Sequence, residues 1–151
     1  MSSSATTTGS VTKTMSNRKP RGLLDTCVII DLEHLSRDLL PLDGKIAAIT
    51  VSELMLGIHI AKDPPEHALR VNRLISVEAN FDPLPFERRA TSMFNALVGL
   101  TVAVGRNPKP RKNDLMIAAT AVANKLPLYT SNADDFKGLE SMLEIVEVHR
   151  R

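Results

Sequence analysis

An aspartate inside an apolar run limits what this chain can fold into more than any other feature. Asp25 lies within residues 22–30 (GLLDTCVII), where most of the other side chains are aliphatic. Such a short, nearly continuous run predicts a strand that is buried on both faces. A carboxylate buried there must be paired, protonated or bound to a metal, because burying it alone is very costly. We therefore predict a functional role for Asp25. The alternative is that the strand ends there and Asp25 caps the segment that follows.

Apolar patterning predicts further strands and helices that alternate along the chain. We predict strands at residues 45–50, 127–130 and 143–149, a short extended piece at 82–85, and helices at 52–61, 66–79, 87–104, 114–124 and 133–139. Strands that alternate with helices indicate an α/β fold with a parallel sheet. The length of 151 residues and a hydrophobic content of 43% suit one domain with a substantial core, which we place at residues 21–151.

Residues 1–20 differ from the rest of the chain. They are rich in Ser and Thr, basic, and almost without large apolar side chains. A segment of this kind buries too little apolar surface to offset the entropy of ordering, so we predict a disordered tail.

Several classes of protein are excluded by what the composition lacks. The single cysteine, Cys27, rules out an intrachain disulfide framework and a Cys-rich zinc site, and we predict that it is a small core hydrophobe. With aromatics at 3%, a surface that stacks many bases is not expected. No apolar stretch approaches the length of a membrane span, and we expect a cytoplasmic protein. The histidines show no metal-ligand spacing, and we place all four at the surface or at helix ends: His34, His59, His67 and His149.

Three further acids, Glu53, Asp114 and Asp135, follow predicted strands or begin predicted helices. Each has an alternative role in helix capping. Thr50 and Glu53 have the spacing of a complete capping box. Asp114, in a first turn, would be favoured by the helix dipole. Asn132 and Asp135 resemble a second capping arrangement.

The common placement of these acids favours a shared site. In open α/β sheets the carboxyl ends of the parallel strands meet at one crevice, so we expect the three acids to converge there with Asp25. Several carboxylates in one crevice repel one another, and such clusters are usually neutralised by a divalent cation. A donor set of oxygen atoms alone favours Mg²⁺ or Mn²⁺ over zinc.

A basic stretch immediately precedes Asp114. Residues 106–112 carry four cations and no acid, namely Arg106, Lys109, Arg111 and Lys112. We predict an open loop, held extended by Pro108 and Pro110, that binds the backbone of a nucleic acid beside the acidic crevice. The alternative is a solvated loop without a ligand.

Four segments together make the chain resemble the PIN-domain ribonucleases, and among them the VapC-type toxins of bacterial VapBC toxin–antitoxin pairs. They are residues 23–32 (LLDTCVIIDL), 49–57 (ITVSELMLG), 113–121 (NDLMIAATA) and 128–139 (LYTSNADDFKGL). Each segment alone is weakly specific, but their order and spacing are typical of the family. The resemblance covers residues 22–149, nearly everything but the tail.

This resemblance implies a three-layer α/β/α fold with a central, mainly parallel sheet, and the catalytic acids of a metal-dependent endoribonuclease. Asp25, Glu53 and Asp114 match the first three acids of the family pattern. Asp25 and Asp114 would be the main ligands of Mg²⁺, with Mn²⁺ also possible, directly or through water. Asp135 fits the fourth position best. Two neighbours remain as alternatives for that position: Asp134 and Asn132.

The resemblance also implies supporting polar residues. Cys27 stands where the family usually has a serine, whose hydroxyl supports the metal site. A thiol there predicts weaker hydrogen bonding around the metal, with Thr26 compensating. Thr130 and Asn132 are expected to orient water or phosphate.

As an activity, the resemblance implies in-line attack by metal-activated water on RNA, which leaves a 5′-phosphate and a 3′-hydroxyl. It also implies a homodimer, with the apolar helices at residues 51–61 and 87–104 as candidate interfaces, and a cognate VapB-type antitoxin that blocks the site. The main alternative is a non-catalytic PIN-like module that binds RNA or a protein. The simplest alternative is an α/β domain whose acids are only helix caps.

Overall fold

The computed structural model describes residues 18–150. The predicted tail of residues 1–20 therefore lies almost wholly outside the described residues. The residues that end it contact the body of the protein. Arg18 Nε donates to the carbonyl oxygen of Leu40 at 3.0 Å, and Lys19 Nζ forms an ion pair with Glu144 at 2.7 Å.

A four-stranded parallel sheet forms the centre of the fold. Its strands are β1 (Arg21–Leu24), β2 (Asp43–Lys45), β3 (Leu128–Thr130) and β4 (Ile145–Glu147), in the spatial order β2-β1-β3-β4. All three strand pairs are parallel. The carboxyl ends of β1 and β3 therefore lie side by side at one edge of the sheet.

Helices cover both faces of this sheet. They are α1 (Thr26–Ile30), α2 (Ala48–His59), α3 (Pro64–Asn80), α4 (Arg88–Ala103) and α5 (Lys112–Ala123). Short 3₁₀ turns occur at Leu32–His34, Arg37–Leu39, Lys109–Arg111 and Ala133–Phe136. No helix in residues 18–150 has both the length and the apolar character needed to cross a bilayer.

Two separate cores show that the fold has three layers. Leu23 of β1 packs in a cluster with Leu97 of α4 and Leu115 of α5. The next residue, Leu24, packs in a second cluster with Leu54 of α2 and Val77 of α3. Because successive side chains of a strand point to opposite faces, the two clusters lie on opposite sides of the sheet. The predicted α/β/α architecture with a parallel sheet is confirmed.

The first predicted strand, residues 22–30, is too long. Strand β1 ends at Leu24, and a short helix begins at Thr26 with Asp25 as its N-cap. The β-branched run favours a strand, but burial of Val28 and Ile29 in the second core outweighs that local preference. The alternative interpretation of Asp25 as a cap is therefore correct in its geometry.

The second predicted strand, residues 45–50, is also misplaced. Strand β2 ends at Lys45, and α2 already begins at Ala48. The backbone of this segment pairs instead with Leu84, whose carbonyl accepts the Ala48 amide at 2.8 Å. An orphan amide of the helix start is thus satisfied by backbone, and no side-chain cap forms. The bridge to Leu84 agrees with the predicted extended piece at residues 82–85.

The basic stretch is partly helical and is not an extended loop. Gly105 follows α4 with a φ of +79°, which suits the predicted end of that helix. Lys109–Arg111 then form a 3₁₀ turn, and α5 begins at Lys112 without a break. Pro108 and Pro110 fix backbone angles that a 3₁₀ turn accepts as readily as an extended chain does. The remaining predicted elements form within a few residues of their expected positions.

Candidate active site

Asp25 lies at the carboxyl end of β1, in the crevice that the sheet topology creates. Its side chain is only 5% exposed. Oδ1 accepts a hydrogen bond of 2.8 Å from the Thr26 amide, and Oδ2 accepts one of 2.8 Å from Thr130 Oγ1. Burial raises the pKa of Asp25 above its ordinary value, while these hydrogen bonds oppose the rise. The carboxylate is therefore fixed in orientation before any ligand binds.

Cys27 also contacts this carboxylate. Its thiol donates to Asp25 Oδ2 at 3.4 Å and accepts from the Ser131 amide at 3.4 Å. Cys27 packs against the second core, as predicted, but it is also part of the hydrogen-bond network around Asp25. The prediction that the Thr26 hydroxyl compensates for the thiol is wrong, because that hydroxyl contacts Glu53 and Thr50. The hydroxyl that donates to Asp25 is that of Thr130.

Glu53 extends from α2 toward α1. Its Oε1 accepts a 2.6 Å hydrogen bond from Thr26 Oγ1, and the same hydroxyl lies 3.1 Å from Thr50 Oγ1. The predicted capping box is wrong, because Ala47 is the N-cap and Thr50 is a fully buried residue within α2. Glu53 is thus not engaged in a helix cap, and Thr26 directs its carboxylate. The sequence did not identify Thr50 as a site residue, because its spacing from Glu53 suggested a helix cap and not a contact with Thr26.

Asp114 lies in the first turn of α5 and is half-buried. Burial is the largest cause that raises its pKa to about 6, followed by the charges of Asp25, Asp135 and Glu53. The guanidinium of Arg111 opposes this rise. The charges of acids from three other segments of the chain therefore act on Asp114.

Two adjacent acids compete for the fourth position, and the geometry distinguishes them. Asp135 raises the pKa of both Asp25 and Asp114 by its charge. The side chain of Asp134 is 84% exposed and pairs with Arg106. Asn132 is exposed, and its side chain forms no capping hydrogen bond. Its backbone N–H donates a 3.0 Å hydrogen bond to Thr130 Oγ1. Asp135 is therefore the member of this segment that belongs to the acidic cluster.

The four cations of residues 106–112 divide into two pairs. Arg106 bonds to the carbonyl oxygen of Asp134 at 2.6 Å and to its carboxylate at 3.2 Å. Arg111 bonds to the carbonyl oxygen of Asp135 at 3.3 Å, and its Nη1 lies 3.9 Å from Asp135 Oδ1. Lys109 and Lys112 are exposed to solvent. The two arginines thus tie the basic stretch to the 3₁₀ turn at Ala133–Phe136, and the two lysines remain accessible to a ligand.

The arrangement of the acids limits how a cation would be held. Within residues 18–150, no three His, Cys, Asp or Glu side chains are close enough together to form a ready-made metal cage. Mg²⁺ seldom needs one, because it retains several waters and binds through one or two carboxylates together with substrate phosphates. Carboxylate and hydroxyl oxygens dominate the crevice, so the donor chemistry fits Mg²⁺ or Mn²⁺. All four histidines are exposed, as predicted.

The chain is similar to a known family of proteins over most of its length. The family model described as PIN domain matches residues 22–140. The chain is 34% identical over 139 residues to Ribonuclease VapC5 of Mycobacterium tuberculosis, covering 89% of this chain and 100% of the relative. It is 27% identical over 145 residues to Ribonuclease VapC of Rickettsia bellii, covering 83% of this chain and 95% of that relative.

Solved structures agree with these sequence comparisons. The crystal structure of VapBC-5 from Mycobacterium tuberculosis, a member of the VapBC family of toxin–antitoxin systems, matches with a TM-score of 0.76 and 33% identity. The match covers 85% of this chain and 99% of that one. VapBC2 of Rickettsia felis, bound to a DNA fragment from its promoter, matches with a TM-score of 0.68 at 19% identity, which supports the fold alone.

Proposed function

Because this chain belongs to the PIN-domain family, we propose that it is a metal-dependent endoribonuclease, the toxin of a VapBC-type toxin–antitoxin pair. The observation that carries the proposal is the shared electrostatic field of the four acids, in which Asp114 has a pKa of about 6 because of burial and its three acidic neighbours. A cluster that opposes its own ionisation is suited to a divalent cation. Two relatives of similar length carry the name ribonuclease VapC, which supports the same activity.

In this proposal Asp25 and Asp114 hold Mg²⁺ or Mn²⁺, directly or through water, and Glu53 and Asp135 complete the acidic pocket. The bound cation would lower the pKa of a water and stabilise charge on the phosphate during in-line attack. Asp25 is already oriented by hydrogen bonds to both carboxylate oxygens. The carboxylate of Glu53 is directed by Thr26, so two of the acids need little reorganisation before the reaction.

RNA must approach an acidic pocket, which by itself repels it. Lys109 and Lys112 are exposed and lie close in sequence to Asp114. We assign them to the RNA backbone, since neither lysine forms an ion pair within residues 18–150, whereas Arg106 and Arg111 pair with Asp134 and Asp135. The two arginines would neutralise Asp134 and Asp135 until substrate binds.

Two protein partners belong to the proposal. Several similar structures are toxin–antitoxin complexes, which supports a cognate antitoxin that blocks the site and a cytoplasmic setting. A homodimer would cover exposed aliphatic side chains on α2 and α4, the helices expected to pair. These side chains are Met55 and Leu56 on α2 and Val102 on α4, and Ile60, the C-cap of α2, adds to them. Light scattering of the purified chain measures its oligomeric state.

The activity is tested with purified protein and end-labelled single-stranded RNA. We expect cleavage in Mg²⁺ or Mn²⁺, none after chelation with EDTA, and products with 5′-phosphate ends. The matched control is Asp63→Asn, which alters an exposed acid outside the cluster. RNA binding that is insensitive to EDTA, with no cleavage in any metal, would favour the non-catalytic module instead.

A further inference from the structure

A groove with a volume of about 330 Å³ opens beside the acidic pocket, between α1, α2 and α3. Thr26 and Glu53 form the end nearest the catalytic acids. Ile30 and Leu69 give the groove apolar surface and are 41% and 55% exposed. The groove is therefore continuous with the proposed active site and open to solvent.

Two arginines of α3 line the same groove and differ in what binds them. The guanidinium of Arg70 is held by the carbonyl oxygen of Gly57 at 2.5 Å and by Glu66 Oε1 at 2.5 Å. The planar guanidinium group of Arg70 is thus held in place, and Glu66 neutralises its charge. The side chain of Arg73 makes no hydrogen bond or ion pair with any residue in 18–150. Its charge acts on Asp31 only at longer range, and that carboxylate is already paired with Arg150. The guanidinium of Arg73 therefore remains available to a ligand.

We propose that this groove binds one unpaired nucleotide of the RNA, next to the phosphate that is cleaved. Arg73 binds the phosphate of that nucleotide, and its base lies on the guanidinium plane of Arg70 between Ile30 and Leu69. Unpaired bases stack on arginine planes as they do on aromatic rings, and no aromatic side chain among the described residues lines this groove. The inference rests on the proposed function and adds a substrate subsite to it.

Charge and position favour RNA as the occupant over a protein segment. The groove begins at Glu53, beside the acidic pocket, so RNA with a phosphate at that pocket can extend directly into the groove. Farther along, the one carboxylate among the described lining residues is Glu66, which Arg70 neutralises, so the outer part of the groove presents the cation of Arg73. Aliphatic side chains carry no groups that hydrogen-bond to a base edge, and the guanidinium of Arg70 is already engaged by Gly57 and Glu66. In this proposal Arg73 binds phosphate and not the base. We therefore expect the subsite to tolerate any base.

The test compares Arg73→Gln with Arg89→Gln, a matched loss of an exposed cation that does not line the groove. We expect Arg73→Gln to raise KM for single-stranded RNA about fivefold and to change kcat by less than twofold, since Arg73 does not contact the reacting atoms. It should also flatten the log–log salt dependence of RNA affinity by about 0.7. Arg89→Gln should leave all three quantities unchanged.

A second measurement reads the groove without cleavage. RNA carrying 4-thiouridine beside the scissile position is crosslinked to full-length protein with Asp114→Asn, and we expect label on the peptide that contains Leu69. If the parent cleaves RNA but Arg73→Gln behaves as Arg89→Gln does and the label is absent, the subsite is wrong and the nuclease stands. If the label appears but the parent cleaves no RNA, the proposed nuclease activity is wrong and the nucleotide-binding groove stands. Protection of Leu69 by an antitoxin peptide but not by RNA would overturn the inference in favour of a protein-binding groove.

Discussion

Thr130 Oγ1 donates a 2.8 Å hydrogen bond to Oδ2 of Asp25, and this bond joins the carboxyl ends of β3 and β1. Both side chains are buried, at 0% and 5% exposure. A single hydroxyl therefore connects two strands at the crevice and orients the carboxylate on which the proposed chemistry depends. The only other side-chain donor to Oδ2 among the described residues is the weaker thiol of Cys27.

We expect Thr130→Val to impair activity and Thr130→Ser to restore most of it. Valine has nearly the same shape but leaves Asp25 Oδ2 with the thiol alone, which raises the pKa of Asp25 further. The loss of a hydrogen bond to a buried carboxylate costs about 1.5 to 3 kcal/mol of stability. Chemical denaturation and the pH profile of kcat measure the two effects. An unchanged pH profile for Thr130→Val would show that the bond is structural only.

Asp25→Asn and Asp114→Asn are expected to abolish RNA cleavage while the fold survives. Each change removes a charge that the proposed cation needs and reduces repulsion among the remaining acids. Isothermal calorimetry should show that Mg²⁺ or Mn²⁺ binding is lost in both variants, and circular dichroism should match the parent. Cleavage near the parental rate by either variant contradicts their assignment as metal ligands.

Asp114 should also make stability depend on pH. Its folded pKa of about 6 lies above the ordinary value of 3.8, so its contribution to stability is fully present below the ordinary value and is lost as pH rises through 6. Without metal at about pH 7.5, Asp114→Asn should exceed the parent in stability by on the order of 1 kcal/mol, after allowance for solvent screening. The difference should vanish near pH 4.

Thermal melts at several pH values in EDTA measure this effect, and added Mg²⁺ should raise the Tm of the parent alone. A constant offset between parent and variant from pH 4 to 8 would mean that Asp114 does not titrate in the expected range. The exposed Glu78→Gln serves as a control for removal of a carboxylate elsewhere.

Glu53→Gln is expected to lower activity at least about tenfold with little change in stability. The amide oxygen of glutamine still accepts the hydrogen bond from Thr26, so the change costs well under about 1 kcal/mol. The neutral glutamine side chain supplies no negative charge to a bound cation. Steady-state cleavage rates across a Mg²⁺ titration should show a higher metal requirement. If the variant cleaves RNA as the parent does, Glu53 serves only to hold α1 against α2.

The sequence was sufficient to predict the acidic crevice, because each acid follows a strand or begins a helix and parallel strands align those points. The local backbone geometry around the crevice was harder to predict. Residues 26–30 are mostly β-branched and favour a strand. The sheet nevertheless stops at Leu24, and Asp25 caps a helix while its other carboxylate oxygen accepts a hydrogen bond from Thr130 of β3. That partner is distant in sequence, and local propensity carries no information about it.

The same limit explains the misplaced start of α2. Thr50 and Glu53 have the correct spacing for a capping box, yet Leu84, from another part of the chain, satisfies the Ala48 amide. The helix therefore begins earlier than the box predicts, and Glu53 faces Thr26. Likewise, Arg106 and Arg111 appear as loop cations in the sequence, whereas their ion pairs with Asp134 and Asp135 form only in the folded chain.

The two lysines and the two arginines of residues 106–112 are expected to act differently. Lys109→Gln with Lys112→Gln should raise KM for RNA and flatten the log–log salt plot by about 0.7 for each phosphate that the variant no longer binds. Metal affinity should not change, because neither lysine contacts the acids. Arg111→Gln should act differently, since Arg111 lowers the pKa of Asp114. Its removal raises that pKa, so the acidic limb of the kcat profile should move to higher pH. Salt titrations of RNA affinity and pH profiles of kcat distinguish the pairs. If the double lysine variant keeps the parental salt slope, these lysines are solvated and the RNA backbone is bound elsewhere.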